Sequence, residues 1–328
     1  MPAAFEITLP ATSANLGPAF DAAAIAMRLH YRVRAAAADE FRITARGRDS
    51  EICGRIDRNL LLETYYEVFE ALGRDPVPLA IEIDNCIPIG KGLGSSAAAR
   101  LAAIAMAVHF GELGWSDGRI LTEAARRERH GDNAAACWLG GVTLVHSNGS
   151  GSNPNAEVGV LKLRARNEWP LLLAVTDSLL DTEHSRSVLP EYYSRADVVS
   201  NVQRAMLLAA AFVEGRPELF LHALEDRIHE PYRGPLCPLL APLRSLSGKQ
   251  GVLGAALSGS GPSVLVVLDP AVPIEQTRRQ IAGFLTERGL HAELLLTSME
   301  NRGAHARRRP NLRPILRARR SERLPARA

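Results

Sequence analysis

Cys86-Ile87-Pro88-Ile89-Gly90-Lys91-Gly92-Leu93-Gly94-Ser95-Ser96-Ala97-Ala98-Ala99 is the stretch on which the reading of this chain turns. It follows a run, Leu79 to Asp84, that alternates like a strand, and it leads into an alanine-rich helical pattern ending near Phe110. Glycines at every second position permit positive φ and close approach of the backbone. Two serines then fall where a helix would start, a favoured capping position. Unpaired N–H groups and the positive dipole end at such a start attract a phosphate. The spacing is not that of a Walker A loop, because Lys91 precedes the last glycine and no Lys-Ser/Thr pair follows it. Nor is it the dinucleotide fingerprint, whose third glycine would be Ser95. A glycine-rich turn alone is often only a loop; the immediate helix start favours anion binding.

Outward from this loop the chain mixes strands and helices. Phe5 to Leu9 reads as a strand ended by Pro10, and residues 11–21 read as a loop. Residues 29–36 and 41–46 alternate with period two and look like a strand pair. Asn59 opens an amphipathic helix to about Leu72, with Leu61, Tyr65 and Val68 on one face. A helix over 116–128 and a strand Val142–His146 follow. The turn-rich run Ser147 to Asn155 is the best candidate boundary. Beyond it the pattern predicts strands near 157–163 and 170–176, then helices near 197–213, 217–230 and 236–248. Strands 253–257 and 264–268 enclose Ser258-Gly259-Ser260-Gly261-Pro262, and a helix (273–288) and a strand (291–296) close the pattern. Without regular βα alternation, α+β is preferred over a doubly wound sheet. The expected division is 1–152, 153–302 and a disordered basic tail, 303–328.

The formal net charge of +3 belongs to that tail. Residues 302–328 hold ten of the 39 basic side chains and one of the 36 acidic ones, leaving residues 1–301 at 29 against 35, or −6. Four scattered cysteines, Cys53, Cys86, Cys137 and Cys237, have no zinc spacing and read as free thiols. No basic, apolar leader opens the chain, and apolar runs such as Met206–Val213 are too short to span a bilayer. A cytoplasmic protein without a membrane partner is expected. The arginine tail leaves a nucleic-acid-binding protein as a reading of another class. The acidic body, lacking an aromatic-basic face, argues against it.

The wording Pro-x-x-x-Gly-Leu-Gly-Ser-Ser-Ala-Ala, Pro88 to Ala98, resembles the phosphate loop of the GHMP small-molecule kinases. Further blocks narrow the resemblance to the homoserine kinase family. They are Pro10-Ala11-Thr12-Ser13-Ala14-Asn15-Leu16-Gly17-Pro18-Ala19-Phe20-Asp21, His130-Gly131-Asp132-Asn133 with Leu139-Gly140-Gly141, and Thr182-x-x-x-Arg186-x-x-Leu189-Pro190. Asp226-Arg227-Ile228-His229-Glu230-Pro231-Tyr232-Arg233 and Leu257-Ser258-Gly259-Ser260-Gly261-Pro262 complete the series, in family order. The resemblance implies the two-domain GHMP kinase fold, a ribosomal S5 domain 2-like N-terminal domain plus a ferredoxin-like C-terminal domain. It implies ATP and Mg2+ as cofactors, L-homoserine as substrate, and a homodimer.

Residue by residue, Pro88, Ile89, Gly90, Lys91, Gly92, Leu93, Gly94, Ser95 and Ser96 would hold the triphosphate, with Thr182 also on ATP. Lys91 is either a phosphate contact or a solvated loop lysine. Asn59 matches the family's adenine contact and is equally a plain N-cap. Magnesium prefers hard oxygens; the resemblance suggests Ser96 and Glu128, with Glu123 as rival. Asn15, Asp21 and His130 would face the amino acid, and Arg186 and Arg233 its carboxylate, because guanidinium offers a bidentate fork.

The base that related kinases place before the paired glycines falls here on Asn133, whose amide cannot serve. Transfer without a dedicated base is therefore expected, the hydroxyl oriented by Asp132 and Asn133. Ala19, Ala24, Arg129 and Gly131 depart from the family's usual residues, and the two alanines are expected to crowd the substrate loop. Another small hydroxylated substrate, L-threonine or mevalonate, is the rival reading within the kinases. Arg186, Arg233 and Asp21 together favour a zwitterion over mevalonate.

Overall fold

The computed structural model describes residues 2–147, 158–177, 182–307 and 309–312. In chain order its elements are β1 (Ala4–Ala14), β2 (Ala23–Ala37), β3 (Arg42–Gly47), α1 (Ser50–Cys53), α2 (Leu60–Glu70) and β4 (Leu79–Asn85). Then come α3 (Ser95–Phe110), α4 (Asp117–Glu128), α5 (Asp132–Leu139), β5 (Val142–Ser147), β6 (Val158–Lys162) and β7 (Pro170–Val175). The remainder comprises α6 (Thr182–Ser187), α7 (Arg195–Glu214), α8 (Phe220–Ala223), α9 (Glu230–Arg233), α10 (Leu240–Arg244), β8 (Val252–Leu257), β9 (Val264–Leu268), α11 (Ile274–Thr286), β10 (Glu293–Ser298) and β11 (Arg309–Leu312).

Two sheets organise the chain. The first runs β11-β1-β2-β4-β3, with β5 pairing the start of β2 and β6 pairing β5. The second runs β10-β7-β9-β8, all antiparallel. Its strands and long helices follow the order β-α-β-β-α-β, which is the ferredoxin-like arrangement. Alanine builds the first core: α3 buries Ala98, Ala102, Ala103, Ala105 and Ala107, so the helix lies close against β1 and β2. Leu172, Val266, Leu257, Ile281 and Leu285 belong to the second core.

Several expectations are corrected. Pro10 does not end the first strand; β1 continues to Ala14, with a register shift between Pro10 and Ala11. A proline lacks a ladder donor, and an irregular register is where a sheet accommodates one. The first four residues of the expected 11–21 loop, Ala11 to Ala14, are therefore sheet. Residues 29–36 and 41–46 are not partners, because β4 lies between β2 and β3 and pairs with β3 in parallel. The helices expected over 217–230 and 236–248 break into short segments, with Asp226 making an Asx-type turn through Ile228, His229 and Glu230 N–H groups. The hairpin β5–β6 straddles the division expected at 152–153, placing the change of sheet after Lys162. Residues 304–307 form a 3-10 turn and β11 pairs with β1, so the expected tail overlaps the fold to Leu312. Residues 313–328, and the boundary run 148–155, lie outside the described residues. The four cysteines are free thiols.

α7 is long and apolar enough by length and composition to cross a membrane. Arg204 near its middle pairs with Glu225, and its Asn201 reaches the carbonyl of Pro18.

Candidate functional site

The phosphate-loop candidate connects β4 to α3. Gly90, Gly92 and Gly94 all take positive φ, 70°, 71° and 71°. Space is as decisive as torsion. A Cβ on Gly92 would stand 2.2 Å from the carbonyl oxygen of Ser258, and one on Gly94 would stand 1.9 Å from Thr12 Oγ1. The loop is clasped by β1 on one side and by the β8–β9 turn on the other. Thr12 N–H donates to Leu93 O at 3.1 Å, and Ser258 Oγ lies 2.8 Å from Gly92 O and 2.9 Å from Ser13 Oγ. The N-cap of α3 is Gly94, not a serine, and no side chain caps it. Ser95 and Ser96 are the first residues of the helix, so the backbone donors of its first turn are not taken up by a cap. That is the better geometry for an anion.

A cavity of about 610 Å³ opens beside this loop. Its wall brings together Asn15, Asp21, Asn59, Ile89, Gly90, Gly92, Leu93, Gly94, Ser95, Ser96, Glu128, His130, Asp132, Asn133, Arg186 and Arg233. Pro88 and Lys91 are not on it; Lys91 Nζ donates to the carbonyl of Asp177 at 2.8 Å. Thr182 opens α6, and its side chain lies outside the described residues.

Ser96 Oγ donates to Glu128 Oε2 at 2.8 Å, while Arg100 Nε holds Glu128 Oε1 at 2.7 Å. A hydroxyl and a carboxylate oxygen thus converge at the start of α3, where Mg2+ with its preference for hard oxygens fits. Glu123 is engaged by Arg126 and Arg127 and does not line the cavity, whereas Glu128 does. Asn59 is the N-cap of α2: its Oδ1 accepts from Leu61 and Leu62 N–H, and its Nδ2 donates to Cys53 and Arg55 carbonyls. With the amide fully used, Asn59 shapes the wall.

The opposite wall is made of charges. Arg186 Nη1 and Nη2 donate to Asp21 at 2.9 to 3.2 Å, and both side chains remain about one third exposed, 38% and 34%. Arg233 is 2% exposed; its Nε donates to Ser185 O at 2.9 Å, and its guanidinium lies 5.1 Å from the Phe20 ring centroid. Burial, then the neighbouring Arg186, lower the pKa of Arg233, against Asp21 and Asp226. Asn15 takes φ 71°, accepts from Asp21 N–H and donates to Gly259 O at 2.9 Å. His229 locks the segment: Nε2 lies 2.9 Å from Gly17 O and the ring stacks on Phe20, while burial lowers its pKa. Beneath it, burial pushes the Glu230 carboxyl up to about 7, where Oε1 accepts from Leu257 N–H next to the Ser258 turn.

Between the walls stand Asp132 and Asn133 at the start of α5. Asp132 is 1% exposed; its Oδ1 lies 2.8 Å from His130 Nδ1 and accepts from Asn133 N–H at 2.6 Å. Burial acts to lower the pKa of His130, but the bond and charge of Asp132, helped by Glu128 and Asp21, outweigh it and raise the value. Asn133 Oδ1 accepts from Thr12 Oγ1 at 2.6 Å, which fixes the amide orientation and leaves Nδ2 as the donor. Thr12, Ser258, Arg100 and Phe20 were not among the expected site residues. Thr12, Phe20 and Ser258 lay inside recognisable blocks; nothing local in sequence marks Arg100.

The alanine departures are not where they would matter. Ala19 and Ala24 are buried, take ordinary φ and do not line the cavity, so the expected crowding of the substrate loop is absent.

Comparison with known proteins follows the same outline. Residues 59–141 match the family of GHMP kinases N terminal domain, and residues 208–286 match GHMP kinases C terminal. The chain is 42% identical to a homoserine kinase of Solibacter usitatus over 81% of this chain and 85% of that one. It is 35% identical to a homoserine kinase of Desulfitobacterium hafniense over 91% and 98%. Among solved structures, homoserine kinase from Cytophaga hutchinsonii superposes with a TM-score of 0.77 at 24% identity, covering 92% of this chain and 97% of that one.

Proposed function

The chain belongs to the homoserine kinase family of the GHMP kinases, and on that premise we propose that it transfers the γ-phosphoryl group of ATP to the side-chain hydroxyl of L-homoserine, giving ADP and O-phospho-L-homoserine for threonine synthesis. One observation carries the reading: a glycine loop cleared of side chains faces, across a single cavity, an aspartate and two arginines spaced for a small zwitterion. The Asp21–Arg186 pair is the recognition device. Its two charges neutralise each other in the free protein and offer an ammonium acceptor and a carboxylate fork to the amino acid. Arg233 adds a second cation whose burial strengthens its hold on the carboxylate.

Phosphoryl transfer through a loose transition state is mainly positioning and electrostatics. The first-turn N–H groups of α3, with Ser95, bind the phosphates. Ser96 and Glu128 would hold Mg2+, which when bound neutralises charge on the triphosphate. Arg100 fixes the Glu128 carboxylate toward Ser96. Asp132, held by His130, and Asn133, held by Thr12, orient the attacking hydroxyl. Asn133 cannot take a proton, and the loose transition state asks little activation of the nucleophile, so no protein base is assigned. A cytoplasmic homodimer completes the proposal; the exposed Val198, Val202 and Met206 along α7 support an apolar contact between copies.

The test is an ADP-release assay with Mg2+ across L-homoserine, L-threonine, L-serine and mevalonate. L-Homoserine is expected to give the highest kcat/KM. Preference for mevalonate, or no turnover with any of the four, would overturn the proposal.

A further inference from the structure

Arg129 is a cation in a position that suits glycine. It follows α4 as its C-cap with φ 63° and ψ 10°, the left-handed region that an L side chain occupies only at a cost. It is exposed, it lines the cavity, and among the described residues no hydrogen bond or ion pair engages its guanidinium. The other two α4-end arginines differ: Arg126 and Arg127 are tied to Glu123 and Glu67. Its neighbours in the chain fix its place. Glu128 holds Ser96 of the phosphate loop, and His130 holds Asp132, which faces the acceptor hydroxyl. Arg129 therefore springs from the wall between donor and acceptor, where the transferring phosphoryl group passes.

We propose that Arg129 is a further phosphate-contacting residue, its guanidinium engaging the γ-phosphoryl oxygens of bound ATP. The role rests on the kinase reading and supplies positive charge to the group being transferred. Guanidinium matches phosphate oxygens with paired donors, and an exposed cation that no described residue engages sacrifices no such bond to make them. Strained backbone held at a site of charge transfer is the pattern expected of a functional position. The rival explanation is a cation complementing the C-terminal dipole of α4, which would act on stability and not on the nucleotide.

Arg129→Gly separates the two, because it relieves the backbone while removing the charge. Its Tm is expected to equal or exceed that of the unaltered protein. Affinity for a non-hydrolysable ATP analogue with Mg2+, measured by calorimetry, is expected to fall about tenfold, against less than about twofold for ADP. Arg129→Lys is expected to recover most of the analogue affinity. Arg58→Gly serves as control, since Arg58 shares the cavity wall, the exposure and a positive φ of 53°; it is expected to show no such discrimination. Equal losses for analogue and ADP, no loss at all, or the same pattern in Arg58→Gly would each overturn the assignment. Binding of the analogue to the unaltered protein without turnover of L-homoserine would instead overturn the substrate, leaving Arg129 testable.

Discussion

The two walls of the cavity are built on opposite principles. The donor wall is backbone: one contiguous stretch whose glycines keep side chains out, pressed between Thr12 and Ser258. The acceptor wall is side chain: Asp21, Arg186 and Arg233 come from three distant segments, held by Asn15, His229 and Asn201. A backbone site cannot be tuned by degrees, because any added atom collides. A charged site can be weakened one interaction at a time. The difference predicts a ranking of damage.

The largest effect is expected at Gly94→Ala. The new methyl meets Thr12 Oγ1 at 1.9 Å, and Thr12 in turn orients Asn133. A loss on the order of 10³-fold in kcat/KM is expected, comparable with removing an electrostatic anchor at its upper end. Gly73→Ala is the control for torsion alone, since Gly73 has φ 62° and nothing within 4 Å; it should lower Tm slightly and leave kinetics alone. Equal kinetic damage from the two would show that the clasp is not what matters. Next comes Glu128→Gln, for which kcat is expected to fall about 10²-fold. The Mg2+ concentration giving half-maximal rate should rise in a Mg2+ titration. An unchanged titration would remove Glu128 from the metal.

On the acceptor wall the expected losses are smaller and fall on the amino acid. Arg186→Lys should raise KM for L-homoserine about tenfold, the scale of one charge-assisted hydrogen bond of 1.5 kcal/mol or so, with KM for ATP unmoved. Arg233→Ala should do the same and also cost about 2 kcal/mol of stability, because Ser185 O loses its donor in a buried setting. A matching rise in KM for ATP in either variant would erase the division between the walls.

The same contrast explains what was legible in the sequence. The donor wall is local, so the alternation of β4, the glycines and the start of α3 could be read from neighbouring residues, and even the positive φ values followed. The acceptor wall joins residues more than 160 positions apart, as Asp21 to Arg186, and only a family resemblance brought them together. Local reading failed where tertiary pairing overrides it. β4 inserts between β2 and β3, and Pro10 is absorbed by a register shift. Position alone left Lys91 open between a phosphate contact and a solvated lysine; its amine donates to Asp177 O.

Asp132→Asn is the most diagnostic change, because Asp132 belongs to neither wall. A general base contributes about 10²–10⁴-fold; an orienting carboxylate is expected to cost kcat only about tenfold, less than Gly94→Ala or Glu128→Gln. The pH profile separates these roles independently. His130 is raised because the bond and charge of Asp132 outweigh burial, so the amide variant leaves burial less opposed and the imidazolium titrates lower. The pair stabilises the fold fully below the unfolded histidine pKa and is lost as pH rises through the raised folded value. The Tm difference between the two proteins should therefore shrink with rising pH. In kinetics, the alkaline limb of kcat/KM for L-homoserine should move to lower pH while the acid limb stays. Loss of a base would do the reverse, abolishing the acid limb, and that outcome would make Asp132 the proton acceptor that this cavity is argued to do without.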